Sequence, residues 1–210
     1  GSALGGGEFA EHGINIREQL EKAKNRVAGK IRNGKYIAYF QSFTNTYAPV
    51  EKLRKLYTEA IAKDEIVGLA IGTRPDCLPE AVVALLSEIN RLKPVSVELG
   101  LQTVHPATVQ YIRRGYDLAV YDAAVKKLRS AGITVIVHQI LGLPGETREQ
   151  MLQTVHYVGQ SGADGIKLQL LHVLEGTDLA EDYRAGKFEC MGLEEYARLI
   201  ADCVEIIPED

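Results

Sequence analysis

VSVELGLQTVHP, residues 95–106, and VIVHQILGLPGET, residues 135–147, are the two stretches on which the fold turns. Each is an apolar, strand-forming run that ends in glycine and then in polar side chains, and the second follows the first at about one strand–helix unit of chain. Enzymes built on parallel sheets place their chemistry at such strand ends. Outward from this pair the alternation continues. Strands are predicted over 35–41, 66–72, 95–101, 133–141 and 165–171, with helical stretches near 51–63, 79–91, 119–131 and 147–161 and a last helix over 193–206. Toward the N-terminus, Ile16, Leu20, Val27 and Ile31 recur at helical spacing between a capping Asn15 and a stop at Asn33 and Gly34. Residues 1–13 read as a glycine-rich leader, with Gly1 and Ser2 a candidate expression scar, and 14–210 as one domain.

Strands joined by helical crossovers imply an α/β fold, a parallel sheet with helices outside. A closed eightfold barrel needs about 250 residues, whereas this chain has 210 and opens on a helix. The expectation is therefore an open, partial TIM-like parallel barrel whose first strand is missing.

Apolar residues make up 46% of the chain and its net charge is −4, which describes one soluble domain able to bury a core, with no overall electrostatic footprint for nucleic acid. No apolar run approaches the roughly 20 residues that span a bilayer, and no secretion signal is legible. The expected location is cytoplasmic, without a membrane partner. Cys77, Cys190 and Cys203 are odd in number and scattered, so neither a disulfide framework nor a Cys-x-x-Cys knuckle is available. They are expected to be buried as small apolar groups.

Strand parity separates two faces. In 95–102, Val95, Val97, Leu99 and Leu101 must meet the helices, which leaves Ser96, Glu98, Gly100 and Gln102 on the concave side. The same logic turns Lys167 and Gln169 inward, so Glu98 and Lys167 share a lumen, either as catalytic groups or as a compensated ion pair. Gly68, Ala70 and Gly72, leading to Arg74, give an inner strip with almost no side chain and room for a ligand.

The strand ends add polar turns. Gln41 to Tyr47 clusters short hydrogen-bonding side chains suited to an amino or carboxylate group, and Arg74 with Asp76 is either a ligand clamp or a local ion pair. Leu141 to Thr147 brings glycine backbone close to a ligand and then caps a helix at Thr147, without the pattern of a nucleotide-phosphate loop. Glu175 to Asp178 again combines a glycine turn with a capping hydroxyl. Of the histidines, His105, His138 and His172 fall at or near strand ends, while His12 and His156 lie in the leader and on a helix. None has metal-motif spacing, and His138 on the inner face is the best placed for substrate contact or proton transfer.

The ordered set Gln41–Tyr47, Gly72–Asp76, Val97–Gln102, Arg113–Asp117, Leu141–Glu146 and Gly176–Leu179 resembles the radical S-adenosylmethionine superfamily, within it the YhcC-type, Elp3-like branch. The resemblance implies a partial (βα)6 barrel that binds S-adenosylmethionine beside a four-iron four-sulfur cluster and generates a 5′-deoxyadenosyl radical. Carried over, Gln41, Thr44, Asn45 and Thr46 correspond to the loop engaging the methionine part, with Arg74 at the next strand end. Glu98 and Gln102 belong to the strand contacting ribose and methionine, and Gly142, Pro144, Gly145, Gly176 and Thr177 to turns flanking adenine. His138, Lys167 and His172 match polar positions of the branch and are taken as catalytic candidates. The resemblance also implies an electron donor such as flavodoxin or ferredoxin and, by analogy, a tRNA substrate.

One departure is large. The Cys-x-x-x-Cys-x-x-Cys cluster motif of the family is absent, and the three cysteines present do not replace it. The piece is therefore expected to be truncated at both ends, inactive alone, and prone to self-association through an exposed sheet edge. Two other classes stay open: a cluster-free barrel lyase or hydrolase using Lys167, Glu98 and His138, and a non-catalytic RNA-binding module based on Lys126, Lys127 and Arg129.

Overall fold

The computed structural model describes residues 16–27 and 34–208. The expectations for the leader, Asn15, Ile31 and Asn33 lie outside the described residues. In chain order the elements are α1 (Ile16–Val27), β1 (Tyr36–Phe40), α2 (Val50–Ala60), β2 (Ile66–Thr73), α3 (Glu80–Asn90), β3 (Val95–Gln102), α4 (Pro106–Tyr111), α5 (Leu118–Ser130), β4 (Thr134–Leu141), α6 (Arg148–Gln160), β5 (Gly165–Leu170), α7 (Asp178–Arg184) and α8 (Leu193–Ile206). The five strands pair in parallel in the order β1-β2-β3-β4-β5, and the sheet curls into a half-barrel of the predicted α/β kind.

The alternation in β3 sets the two faces. Val95, Val97, Leu99 and Leu101 are no more than 2% exposed, while the residues between them are only half-buried. Each such apolar side chain stabilises the fold by about 1.5–3 kcal/mol. They pack under Leu53 and Tyr57 of α2, Leu85 and Leu86 of α3, and Tyr121, Val125 and Leu128 of α5. A second cluster joins Leu141 of β4, Met151 and Val155 of α6, and Leu199 and Cys203 of α8.

Local chemistry fixes the ends. Thr147 accepts from the Gln150 backbone N–H while the Gln150 side chain accepts from the Thr147 N–H, a full capping box at α6. Thr177 caps α7 in the same way by accepting from Ala180 N. The two short helices α4 and α7, and a single 3-10 turn at Pro75–Cys77, interrupt segments that read as plain loops in the sequence. Helices this short show no resolvable periodicity. The cysteine expectation holds only for Cys203, since Cys77 is half-buried and Cys190 exposed.

The inner glycine strip has a different use from the one its sequence implies. A Cβ on Gly72 would lie 3.2 Å from the Gln41 carbonyl oxygen and 3.3 Å from that of Phe40, so the missing side chain lets β2 approach the end of β1. Gly72→Val is accordingly expected to cost about 1–3 kcal/mol through forced backbone movement. Urea unfolding would measure it, and an unchanged midpoint would show that β1 can yield.

Candidate functional site

The parity of the strands lines the concave face with Ile37 and Tyr39, Ala70 and Gly72, Ser96 and Glu98, Ile136 and His138, and Lys167 and Gln169. Half-way up, four of these meet in a belt. Tyr39 Oη donates to Glu98 Oε2 at 2.5 Å, and His138 Nε2 lies 2.5 Å from the same oxygen. Lys167 Nζ lies 3.5 Å from Glu98 Oε2 and 3.4 Å from Tyr39 Oη, and 5.3 Å from the centre of the Tyr39 ring. Tyr39 stands on β1 and Glu98 on β3, so the phenol must cross β2, where Ala70 and Gly72 leave the path clear. The space inferred for a ligand is thus partly used by Tyr39. Burial would raise the Glu98 carboxyl, but the bonds from His138 and Tyr39 outweigh it and hold the group down at about 2. Burial and the same carboxylate push the Tyr39 phenol well up, so it stays a donor.

The rim above the belt is built from the strand ends. Asn45 Nδ2 donates to the carbonyls of Phe40 and Gly72, both at 2.9 Å, and buried Tyr57 donates to Asn45 O at 2.6 Å. Thr46 Oγ1 bonds Thr73 Oγ1 and Cys77 O, each at 2.6 Å. Asn45 and Thr46 are therefore spent on shaping the loop, while Gln41 and Phe43 are exposed and Thr44 half-buried. Phe43 and Gln102 both adopt positive φ, 65° and 64°, conformations that side chains other than glycine rarely take and that cluster at functional sites. With its amide nitrogen turned toward its own strand, Gln102 donates to Gly100 O and Leu101 O at 2.9 Å.

Arg74 is a local clamp. It pairs with Asp76 through two bonds of 2.9 and 2.7 Å and donates to Arg114 O at 2.9 Å. Its guanidinium lies 5.1 Å from the Tyr116 ring centre, and that of Arg114 lies 4.6 Å from it. Arg114, only 6% exposed, donates to the carbonyls of Leu101, Thr103 and Tyr116, and Tyr116 Oη donates to Gly100 O. The segment 113–117 is thereby stapled to the end of β3. From there Arg113 pairs with Asp178 and Tyr111 with Asp182, each at 2.7 Å, which ties the loop after β3 to α7 beyond β5.

Of the predicted site residues, Glu98, His138 and Lys167 come together, and Tyr39 joins them. Nothing in the sequence marks Tyr39, because its reach across two strands depends on what β2 lacks. His172 is exposed on the loop after β5, away from the bonds of the belt. Gly142 and Gly145 each have φ 81°, as the turn after β4 requires, with Pro144 half-buried between them. Thr177 spends its hydroxyl on the α7 cap and Gly176 precedes it at φ 75°. His105 is engaged with Gln150 O at 2.7 Å. In the basic stretch of α5, Lys127 bonds Leu78 O and Glu80, and Arg129 pairs with Asp164, which leaves little of the stripe for phosphate. Among the described residues no group of three or more His, Cys, Asp or Glu side chains could hold a metal ion. No helix among them is long and apolar enough to cross a membrane.

Residues 10–158 match the model of the Radical SAM superfamily, and 163–210 match the Radical_SAM C-terminal domain. The chain belongs to the radical SAM superfamily. Among curated proteins, it is 46% identical over 210 residues to the uncharacterized protein YtqA of Bacillus subtilis, covering 100% of this chain and 65% of that protein. It is 41% identical over 202 residues to protein YhcC of Escherichia coli, covering 96% and 64%. It is also 28% identical over 151 residues to the tRNA uridine(34) acetyltransferase of Methanocaldococcus jannaschii, covering 70% and 27%. The chain thus spans a little under two thirds of the length of YtqA and YhcC. Among solved structures, the archaeal Methanocaldococcus infernus Elp3 superposes with TM-score 0.77 at 22% identity, covering 92% of this chain and 49% of that one. The radical SAM enzyme coproporphyrinogen III oxidase of Escherichia coli gives 0.59 at 18%, covering 77% and 37%. Both show the radical SAM half-barrel as the fold.

Proposed function

We propose that this chain is the S-adenosylmethionine-binding and substrate-facing part of a radical SAM enzyme. The observation that carries the reading is the polar belt of Tyr39, Glu98, His138 and Lys167 standing beneath a strained, polar strand-end rim on the open concave face. The rim suits a ligand with amino, carboxylate and ribose groups. Exposed Gln41, half-buried Thr44 and the backbone around Gln102 would contact it, while Asn45, Thr46, Arg74 and Thr177 shape the rim through the bonds they make within the fold. Gly142, Pro144, Gly145 and Gly176 supply turns against which a flat adenine can lie. His138 and Lys167 are the groups best placed to orient a substrate or hold a proton in the lumen, with His172 on the loop above them.

The described residues do not fit an iron–sulfur cluster, because Cys77, Cys190 and Cys203 differ in burial and belong to the end of β2, the approach to α8 and α8 itself. In the whole protein such a cluster would supply one-electron reduction chemistry, with a partner of the flavodoxin or ferredoxin type as its electron source. The likeness to tRNA uridine(34) acetyltransferases supports a tRNA substrate for that whole protein.

Calorimetric titration with S-adenosylhomocysteine, which needs no cluster, tests the reading on this chain. Binding is expected, weakened about tenfold, or 1.4 kcal/mol, by Gln41→Ala. Thr177→Ala should instead lower stability by about 1 kcal/mol as a lost cap. No heat with the intact chain would remove the proposal. Anaerobically reconstituted whole protein should form 5′-deoxyadenosine from S-adenosylmethionine and dithionite.

A further inference from the structure

The belt pairs one carboxylate with one ammonium, and the two differ in exposure. The inward positions of the five strands carry one carboxylate, Glu98, and its side chain is only 12% exposed, with Oε2 accepting from Tyr39 and His138. Lys167 is different. Its side chain is 41% exposed, and its bonds to Glu98 and Tyr39 are long, 3.5 and 3.4 Å. An ammonium has three donors, so at least one of them is unspent by these contacts. The Tyr39 ring supports the cation from one side, 5.3 Å away, and holds it above the open face.

Apart from Glu98 and the His138 imidazole, the inward strand residues around it carry no charge. Ile136 and Ile140 on β4 and Ala70 on β2 make the wall apolar, and Gln169 lies two residues further along β5 on the same face. Glu98 keeps its charge, but it is buried and bonded by the phenol and the imidazole, whereas the more exposed ammonium has a donor to spare for a negative group entering from the mouth. The imidazole next to it adds a second donor edge.

Resting on the reading above, we infer that Lys167, backed by Tyr39 and His138, is a subsite for an anionic substituent of the substrate, a carboxylate or phosphate, seated in the lumen below the rim. Neutral groups of the same shape would lack the ion pair. Lys167 is then a specificity-determining residue that selects which substituent sits deepest in the half-barrel.

The test uses the full chain with histidine labelled at Cε1, and the His138 signal assigned through His138→Gln. Acetate and inorganic phosphate are the probes, with acetamide as the neutral isostere and total ionic strength held constant. Saturable movement of the His138 signal with acetate or phosphate and none with acetamide is expected. The movement should vanish in Lys167→Met and survive in Lys167→Arg. Acetate against phosphate distinguishes a carboxylate site from a phosphate site. Equal response to acetamide, or an undiminished response in Lys167→Met, would overturn the inference. If S-adenosylhomocysteine binds but neither anion does, the subsite is wrong and the cofactor reading stands. If the anions bind and S-adenosylhomocysteine does not, the cofactor reading fails instead.

Discussion

Replacing Arg114 with methionine is expected to lower the unfolding free energy by about 3 kcal/mol or more, the largest stability loss of any single change considered. The side chain is 6% exposed, and no carboxylate bonds it among the described residues. Its charge is held by carbonyl oxygens of Leu101, Thr103 and Tyr116 and by the Tyr116 ring. Burial draws the guanidinium below its usual range, with Tyr116 and Asp117 acting against that pull, yet a guanidinium remains charged. Methionine keeps most of the volume and leaves the Thr103 and Tyr116 carbonyls without this donor, while Leu101 O keeps the Thr103 N–H, at about 1–3 kcal/mol for each buried acceptor that water does not reach. Arg114→Lys should recover only part of the loss, since one ammonium cannot reproduce the planar fork. Urea denaturation of the two variants settles it, and a shift under 1 kcal/mol for methionine would mean that water replaces the guanidinium. Because the same bonds hold Leu101 and Thr103 on either side of Gln102, affinity for S-adenosylhomocysteine should fall along with stability.

The second large effect concerns Glu98. Its carboxyl sits far below the ordinary glutamate value near 4.3, at about 2, because the bonds from His138 and Tyr39 prevail over burial. A group whose folded value is depressed adds stability that is complete above the unfolded value and disappears as pH falls toward the folded one. The contribution should therefore be full at neutral pH and drain away between about 4.3 and about 2. Glu98→Gln keeps the shape and removes the charge. It is expected to cost about 2 kcal/mol at pH 7, the scale of charge-assisted bonds. The gap between wild type and variant should then narrow through the acid range. Melting curves at several pH values measure this, and two parallel profiles would show that the carboxylate is not what the belt leans on. In the reconstituted whole protein the same variant should lower turnover at least tenfold, about 1.4 kcal/mol of barrel-face organisation.

How much of this was legible beforehand differs by scale. The strands stood out because Val95, Val97, Leu99 and Leu101 alternate with polar partners, and because glycine marks the strand ends. The same alternation brought Glu98, His138 and Lys167 to one face. What stayed hidden depended on distances between separate strands. Tyr39 is one tyrosine among ten in the sequence, and only the register of β1 on β2 and β2 on β3 carries its hydroxyl to Glu98. Asn45, Thr46 and Arg74 looked like ligand groups because their side chains can make the bonds a ligand needs. The fold uses those bonds on Gly72 O, Cys77 O and Asp76. Likewise the basic run of α5 gives no sign in sequence that Asp164 and Leu78 O await it.

The sheet pairs each strand with the next one in the chain, so its ladders can form in order of synthesis, and early strands need not wait for late ones. The belt is the exception. Lys167 and Tyr39 are 128 residues apart, on β5 and β1. A nascent chain that has folded β1 to β4 already holds most of the residues of the main apolar cluster, but not Lys167. The cation arrives with β5, so an intermediate that lacks the β4–β5 ladder cannot present the belt, however well β1 to β4 are packed.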